Sequence, residues 1–463
     1  MKPCKTFLYP LILLFIFVIN LGNYQKLHAQ TVNLVTPDFY EWEGNPADAD
    51  GPCIAPGEHR LIKARIDRAI KNMREAGVFE KHFDSRQRMV HPLFDWPMKQ
   101  AEGFDDPGYY AISNYVDLDP DSAMVLDYNG LNQTYDGHNG CDIRTDPYFW
   151  KKKQDNQVEA IAAEDGVIIF KVDGFFDNNC SCVNGNWNAI FLAHADGSVT
   201  WYGHLKNGTT TPKDSGDFVS IGEYLGFIGS SGCSSNPHLH FEVYDNLGNR
   251  IEPFAGPSNP TTNDSWWANQ LPYYDSGINK IATHSSIPTA PACPGIEVPN
   301  EKYVFDAGEA MSFSIAIRHS ITSDSAVVET FEPDGDPSTL IDLTYIRMGT
   351  FFLRTVLPVW NRTLANNAPK GKWRYRVTYY SGSYGTQVEE INFWVAENCV
   401  GNLVHNAPLT QSKYYQASNT ITSSSVISNN VHIVYDAENI TTLTPGFQAP
   451  VGSKLEVKTN GCN

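Results

Sequence analysis

From residue 160 to residue 244 the chain is a succession of short apolar runs broken by glycine-containing turns, with little sign of helix. Ala160 to Lys171 reads as a strand turned at Asp165-Gly166. Trp187 to Ala193 is closed by Asp196-Gly197, and Ser198 to His204 follows as its hairpin partner. Phe218 to Ile228 alternates, with Gly222 and Gly226 as turn or bulge positions. His238 to Tyr244 is the last strand of the series. Runs this short cannot bury a core singly, and their turns are too tight for crossover helices. The expectation is an antiparallel β-sheet domain over residues 91–256.

The other segments divide by composition. With 463 residues the chain is expected to hold two to four units. Residues 1–29 read as a signal peptide: Lys2 and Lys5, then an uncharged apolar run from Phe7 to Ile19, then cleavage after Ala29. That run is short for a membrane span, and no later stretch is apolar enough for one. Residues 30–90 are expected to be a helical extension, with Ile62, Ile66, Ile70 and Met73 recurring at near four-residue spacing and Gly77 ending the helix. A propeptide, an inhibitory arm and a packed extension of the next domain all fit that segment. Residues 257–295, rich in Pro, Ser, Thr and Asn, suggest a linker. Residues 296–397 alternate at period two (Phe313, Ile315, Ile317; Trp373, Tyr375, Val377, Tyr379; Ile391, Phe393, Val395), which fits a β-sandwich of immunoglobulin-like size. Residues 398–463 form a small C-terminal β module in which Val431, Ile433 and Tyr435 alternate.

The formal net charge is −18, and removal of residues 1–29 takes it to −21. A chain this acidic disfavours nucleic acid and anionic membrane surfaces as partners. Eight cysteines would remain after cleavage: Cys53, Cys141, Cys180, Cys182, Cys233, Cys293, Cys399 and Cys462. An even number in an exported chain points to disulfides, whose pairing the sequence does not fix. Cys180-x-Cys182 has no second cysteine pair or histidine beside it to complete a metal site, so disulfides are expected there too.

Three short motifs carry chemistry: His138-x-x-x-Asp142, Tyr202-Gly-His204 and His238-Leu-His240. A strand sends residues i and i+2 to one face, so His238 and His240 share a face with Leu239 opposite. Imidazole nitrogens and a carboxylate oxygen are zinc donors, and three protein ligands leave a position for water. His91, His194, His284, His319, His405 and His432 are expected to be surface or satisfied core residues, and Asp146, Asp165 and Asp173 to serve turns or solvent faces. Tyr135 and Tyr202 either line a groove or only pack.

The set Tyr135-Asp-Gly-His138-Asn-Gly-Cys-Asp142, Trp201-Tyr-Gly-His204-Leu and Gly229 to Glu242 resembles the zinc metallopeptidases of the lysostaphin and LytM type, the M23 family. The resemblance covers about residues 91–256. It implies one Zn²⁺ per chain, held by His138, Asp142 and His240, with His204 and His238 as the catalytic pair. Without a His-Glu-x-x-His helix, histidines must do the work of a glutamate base. The resemblance implies peptidoglycan cross-bridges or stem peptides as substrate, while the signal peptide implies a secreted protein, released or retained in the periplasm or at the cell surface. A loop from Asp173 to Trp187, longer than the family's turn, is expected to border the groove. Asn132 lies just upstream of His138, and some family members cap their zinc with an upstream asparagine. The alternative from another class is a non-catalytic wall-binding protein or an activator of other wall hydrolases; such relatives typically lack ligands.

Overall fold

The computed structural model describes residues 38–41, 54, 56–84, 91–121, 124–182, 186–259, 264–333, 344–347 and 355–462. The expected signal peptide and Cys53 lie outside them. The described part is mainly β, with helix only at Pro56–Glu75 (α1), Val78–His82 (α2) and Phe149–Gln154 (α3). No helix among the described residues is long and apolar enough to cross a membrane.

The central sheet is antiparallel throughout. Its strands run in the order Ala111–Asn114, Cys141–Arg144, His238–Tyr244, Val199–Gly203, Ala189–Ala193, Gly166–Val172, Phe218–Val219, with Arg250–Ile251 added beside His238–Tyr244. Alternation along His238–Tyr244 assigns its two faces. Leu239, Phe241 and Val243 join Ile143, Ile190 and Leu192 in one core, which a small sheet of Met98–Gln100, Val158–Ile161 and Tyr224–Phe227 closes. His238, His240, Glu242 and Tyr244 take the opposite face.

Helix α1 packs on that second face. Its stripe of Ile66, Ile70 and Met73 meets Val167, Phe191, Val199 and Trp201, and Phe79 of α2 and Phe83 extend the same cluster. The helix stops at Glu75, and Gly77 turns the chain with a φ of 69°, a left-handed conformation that suits glycine.

Two sheets share the next core. One holds Asp38–Glu41, Val356–Thr363, Ala310–Arg318 and Gly277–His284; the other holds Val304–Phe305, Gly385–Val395, Gly371–Ser381, Ser325–Phe331 and Thr344–Arg347. Ile278, Ile281, Phe313 and Ile315 meet Trp373, Tyr375, Val377 and Phe393 between them. Two elements differ from the expected segmentation. The stretch 257–295 is not all linker, because Gly277–His284 is a sheet strand paired with Ala310–Arg318. Its polar residues mask the strand in the sequence, yet they are satisfied inside: Asn279 Nδ2 donates to Tyr110 O at 2.8 Å, and His284 Nε2 meets Ser314 Oγ at 2.7 Å. Likewise Asp38–Glu41 pairs with Val356–Thr363 and so belongs with these strands rather than with the helix that follows it.

The C-terminal strands pair only in parallel. Asn402, Thr420 and Ile440 lie in successive turns of one coil, as do Lys413, Ile433 and Leu455. Leu403, Ile421, Ile433 and Tyr435 fill its interior, and a ladder of Asn402, Asn419 and Asn439 runs along its surface. A disulfide between Cys399 and Cys462 joins its two ends.

Candidate metal centre

The ladder register assembles the site. His240 lies opposite Asp142 on one neighbouring strand and opposite Gly203 on the other. His138 arrives from the irregular turn before Cys141–Arg144, where a β-carbon on Gly140 would sit 2.7 Å from Phe241 O and 3.0 Å from His240 Cε1. Glycine there lets the loop close against the sheet. His138 Nε2 is 3.1 Å from Asp142 Oδ2 and 3.3 Å from His240 Nδ1, and His240 Nδ1 is 2.8 Å from Asp142 Oδ1. The donor atoms of the three residues all lie within 4.8 Å of one another, so they can share one ion.

The outer nitrogens fix which atoms face inward. His138 Nδ1 meets Tyr115 O at 2.7 Å, and His240 Nε2 meets Glu242 Oε1 at 2.8 Å. A carbonyl or carboxylate oxygen can only accept, so each of those nitrogens carries the proton. His138 Nε2 and His240 Nδ1 therefore point lone pairs at each other and at a carboxylate. Three electron-rich atoms at such separations suit a shared cation, and tetrahedral zinc with bonds of about 2.0–2.2 Å puts its donors at about this spacing. The Asp142 carboxylate is itself buried. Asn114 Nδ2 also donates to Asp142 Oδ2 at 3.0 Å.

The second histidine pair stands next to this group. His204 and His238 have ring centroids 4.5 Å apart, and His238 Nε2 is 3.5 Å from Asp142 Oδ1. His204 Nδ1 donates to Ser231 O at 2.6 Å, and His238 Nδ1 donates to Asn236 O at 2.7 Å. In both rings Nε2 then carries the lone pair. His204 sits at a φ of 60°, and Trp187 packs its ring 5.2 Å from His204 and 5.9 Å from His240. Gly203 makes that possible, since a β-carbon there would fall 1.8 Å from Trp187 Cζ3. All five site residues are buried, from 0% exposed for His138 to 7% for His238.

The surroundings settle several smaller points. Tyr202 packs: its hydroxyl accepts from Ala163 N at 2.9 Å in the opposite core. Tyr135 packs on His138 with ring centroids 4.3 Å apart and tilted by 30°. Asn132 is exposed, whereas Asn114 is the asparagine that reaches the carboxylate. Asp146 is buried and pairs with Arg144 at 3.2 Å, so it does not face solvent. The Asp173–Trp187 loop is clipped by two disulfides, Cys180–Cys293 and Cys182–Cys233, the second of which holds the turn leading into His238. Cys141 is buried and unbridged, because its side chain points into the core opposite the site.

Motif spacing assigns no role to Glu242, Asn114, Trp187 or His59. Glu242 takes His240 on one oxygen and, on the other, Tyr244 OH and His59 Nε2, the last at 3.2 Å. Burial pushes this carboxyl up, but the hydrogen bonds from His240 and His59 hold it below the usual carboxylate range. A signal for His59 existed: it precedes Ile62 by three residues and lies on the stripe of Ile62, Ile66 and Ile70.

A family model described as Peptidase family M23 matches residues 136–253, the span that holds all five site residues. That segment is a peptidase family M23 domain. The chain is 38% identical over 94 residues to the DD-carboxypeptidase/endopeptidase Mpg of Neisseria meningitidis serogroup B, covering 20% of this chain and 19% of that protein. The chain is 29% identical over 145 residues to lysostaphin of Staphylococcus simulans, covering 28% of this chain and 29% of that protein. The chain thus spans about a fifth of Mpg and under a third of lysostaphin. The solved catalytic domain of the prophage-encoded M23 protein EnpA from Enterococcus faecalis aligns with 33% of this chain and 94% of that chain, at 20% identity and a TM-score of 0.21.

Proposed function

We propose that this protein is an exported zinc metalloendopeptidase that hydrolyses peptide bonds in peptidoglycan cross-bridges or stem peptides. One observation carries the proposal: His138 Nε2, His240 Nδ1 and the Asp142 carboxylate converge within 4.8 Å, with both imidazoles tied through their outer nitrogens so that their lone pairs face inward. The M23 domain supports peptide hydrolysis as the reaction class, and the name of Mpg supports a wall peptide as substrate.

In this reading His138, Asp142 and His240 hold the metal. Zinc held there would activate the attacking water and polarise the scissile carbonyl. The remaining proton traffic falls to His204 and His238. Each has its Nδ1 proton committed to a backbone carbonyl, so Nε2 is the working atom in both. One Nε2 takes the proton of the attacking water. The other, protonated from solvent before the attack, donates to the oxygen that becomes negative and passes that proton to the leaving amine, while the first returns its own to solvent. Trp187 packs beside His204 and His240 and excludes water there, which strengthens each charge interaction.

The wall-binding or activator reading gains no support from the site, since none of the five positions is replaced. The deciding experiment measures zinc content and release of soluble fragments from purified peptidoglycan for the wild type and His240→Ala. The wild type is expected to hold one zinc and release fragments, and the variant to do neither. Zinc-loaded wild type that releases nothing from any peptidoglycan or oligoglycine substrate would return the protein to the binding class.

A further inference from the structure

We propose that His59, on helix α1, is a positioning residue for the metal centre and holds His240 in place through Glu242. The inference rests on the metal-centre reading above and deepens it. The observations are geometric. His59 Nε2 is 2.7 Å from Tyr244 OH and 3.2 Å from Glu242 Oε2, and the Tyr244 hydroxyl donates to that same oxygen. The other oxygen, Oε1, accepts from His240 Nε2 at 2.8 Å. The His59 ring stacks on Trp201 with centroids 4.9 Å apart and planes 29° apart, which fixes the direction of its Nε2–H. Glu242 is 1% exposed, so these side chains, not solvent, set its orientation.

The chemistry follows from the donor count. A carboxylate that receives the outer N–H of a ligating histidine fixes its tautomer and makes its inner nitrogen a better donor. It can do so only while it is itself held. With His59 present, Glu242 has a donor on Oε1 and two on Oε2, and it cannot swing away from His240. Without His59, Tyr244 alone holds Oε2 in a buried place, and a buried carboxylate short of donors is costly. The helix is thereby a working part of the centre. Of the roles open to residues 30–90, a packed extension is the one this arrangement supports for α1, since a detachable inhibitor would not supply part of the ligand support.

The test is the zinc dissociation constant of the full chain, measured by competition with a chromophoric chelator. His59→Phe keeps a ring on Trp201 and removes the donor. His59→Gln restores an N–H near the position of Nε2. Outer partners of ligands are worth about 10–100-fold in metal affinity, and Glu242→Gln is expected in that range. His59 acts one step further out, so His59→Phe is expected to weaken zinc about 3–10-fold, with His59→Gln within about twofold of wild type. Thermal unfolding of the metal-free proteins shows whether each variant is folded, and His59→Leu replaces His59→Phe if the latter cannot be purified. Equal zinc affinity for wild type and the donor-less variant overturns the proposal. So does a glutamine variant as weak as the phenylalanine one, which would mean packing alone. A folded wild type that binds no zinc overturns the metal-centre reading itself, a result distinct from either.

Discussion

His240 Nδ1 and Asp142 Oδ1 lie 2.8 Å apart across the ladder between two antiparallel strands, although 97 residues of chain separate them. The register of that ladder, His240 opposite Asp142, is what brings the imidazole and the carboxylate to one point. A one-residue slip would send His240 to the opposite face.

Substituting the metal-holding residues should separate binding from chemistry. His138→Ala and His240→Ala are expected to lose zinc together with activity, as measured by metal analysis of the purified chains. His204→Ala and His238→Ala are expected to keep their zinc while kcat falls about 10²–10⁴-fold, the span expected for losing a proton-transfer group. Loss of zinc from either of the latter would move that residue into the ligand set.

Gly203→Ala should damage the site through Trp187 and not through its own side chain. A methyl group would start 1.8 Å from Trp187 Cζ3, so the indole must leave its place beside His204 and His240. A destabilisation of about 1–3 kcal/mol or more is expected from such overpacking. Adding Trp187→Leu to Gly203→Ala should recover part of the lost stability, while kcat stays depressed. Chemical denaturation of the single and double variants gives the comparison.

The motif spacing carried much of this site, and the reason is local. In His238-Leu-His240 the side-chain alternation of a strand alone puts both rings on one face, whatever the rest of the chain does. The period of Ile62, Ile66, Ile70 and Met73 likewise gives the helix without knowledge of its partner. What surface that helix covers is a tertiary fact, and His59 gains its meaning only when Glu242 lies under it. Gly277–His284 escaped because its polar residues are satisfied by long-range partners. The parallel direction of the C-terminal strands was equally hidden: alternation in Val431, Ile433 and Tyr435 reports a buried face and not the direction of the neighbour.

Lys152 makes a prediction about pH. Burial pushes its ammonium down to about 7, only partly offset by Asp106, while the amine donates to Asp146 O at 2.8 Å. In the unfolded chain a lysine keeps its proton up to about 10.4. Between about pH 7 and 10.4 the unfolded state therefore binds the extra proton, and stability rises with pH across that window. Lys152→Met should remove this contribution. The gain in urea midpoint between pH 7 and pH 9 is expected to be larger for the wild type than for the variant, since all other titrating groups are common to both.

The Cys182–Cys233 bridge closes a loop of 51 residues and anchors the turn that leads into His238. The double variant Cys182→Ser/Cys233→Ser is expected to lose roughly 2–4 kcal/mol of stability, the usual span for such a cross-link. With His238 Nδ1 held by Asn236 O in that same turn, kcat should fall more than zinc content does. Denaturation and metal analysis of the same preparation check both parts.

The partner bridge, Cys180–Cys293, spans from the loop beside the M23 strands to the stretch just before Val304–Phe305. A protease that cuts once anywhere between those two cysteines leaves fragments still tied by sulfur. The chain can thus be nicked in the very region that carries His204, His238 and His240 and still not come apart.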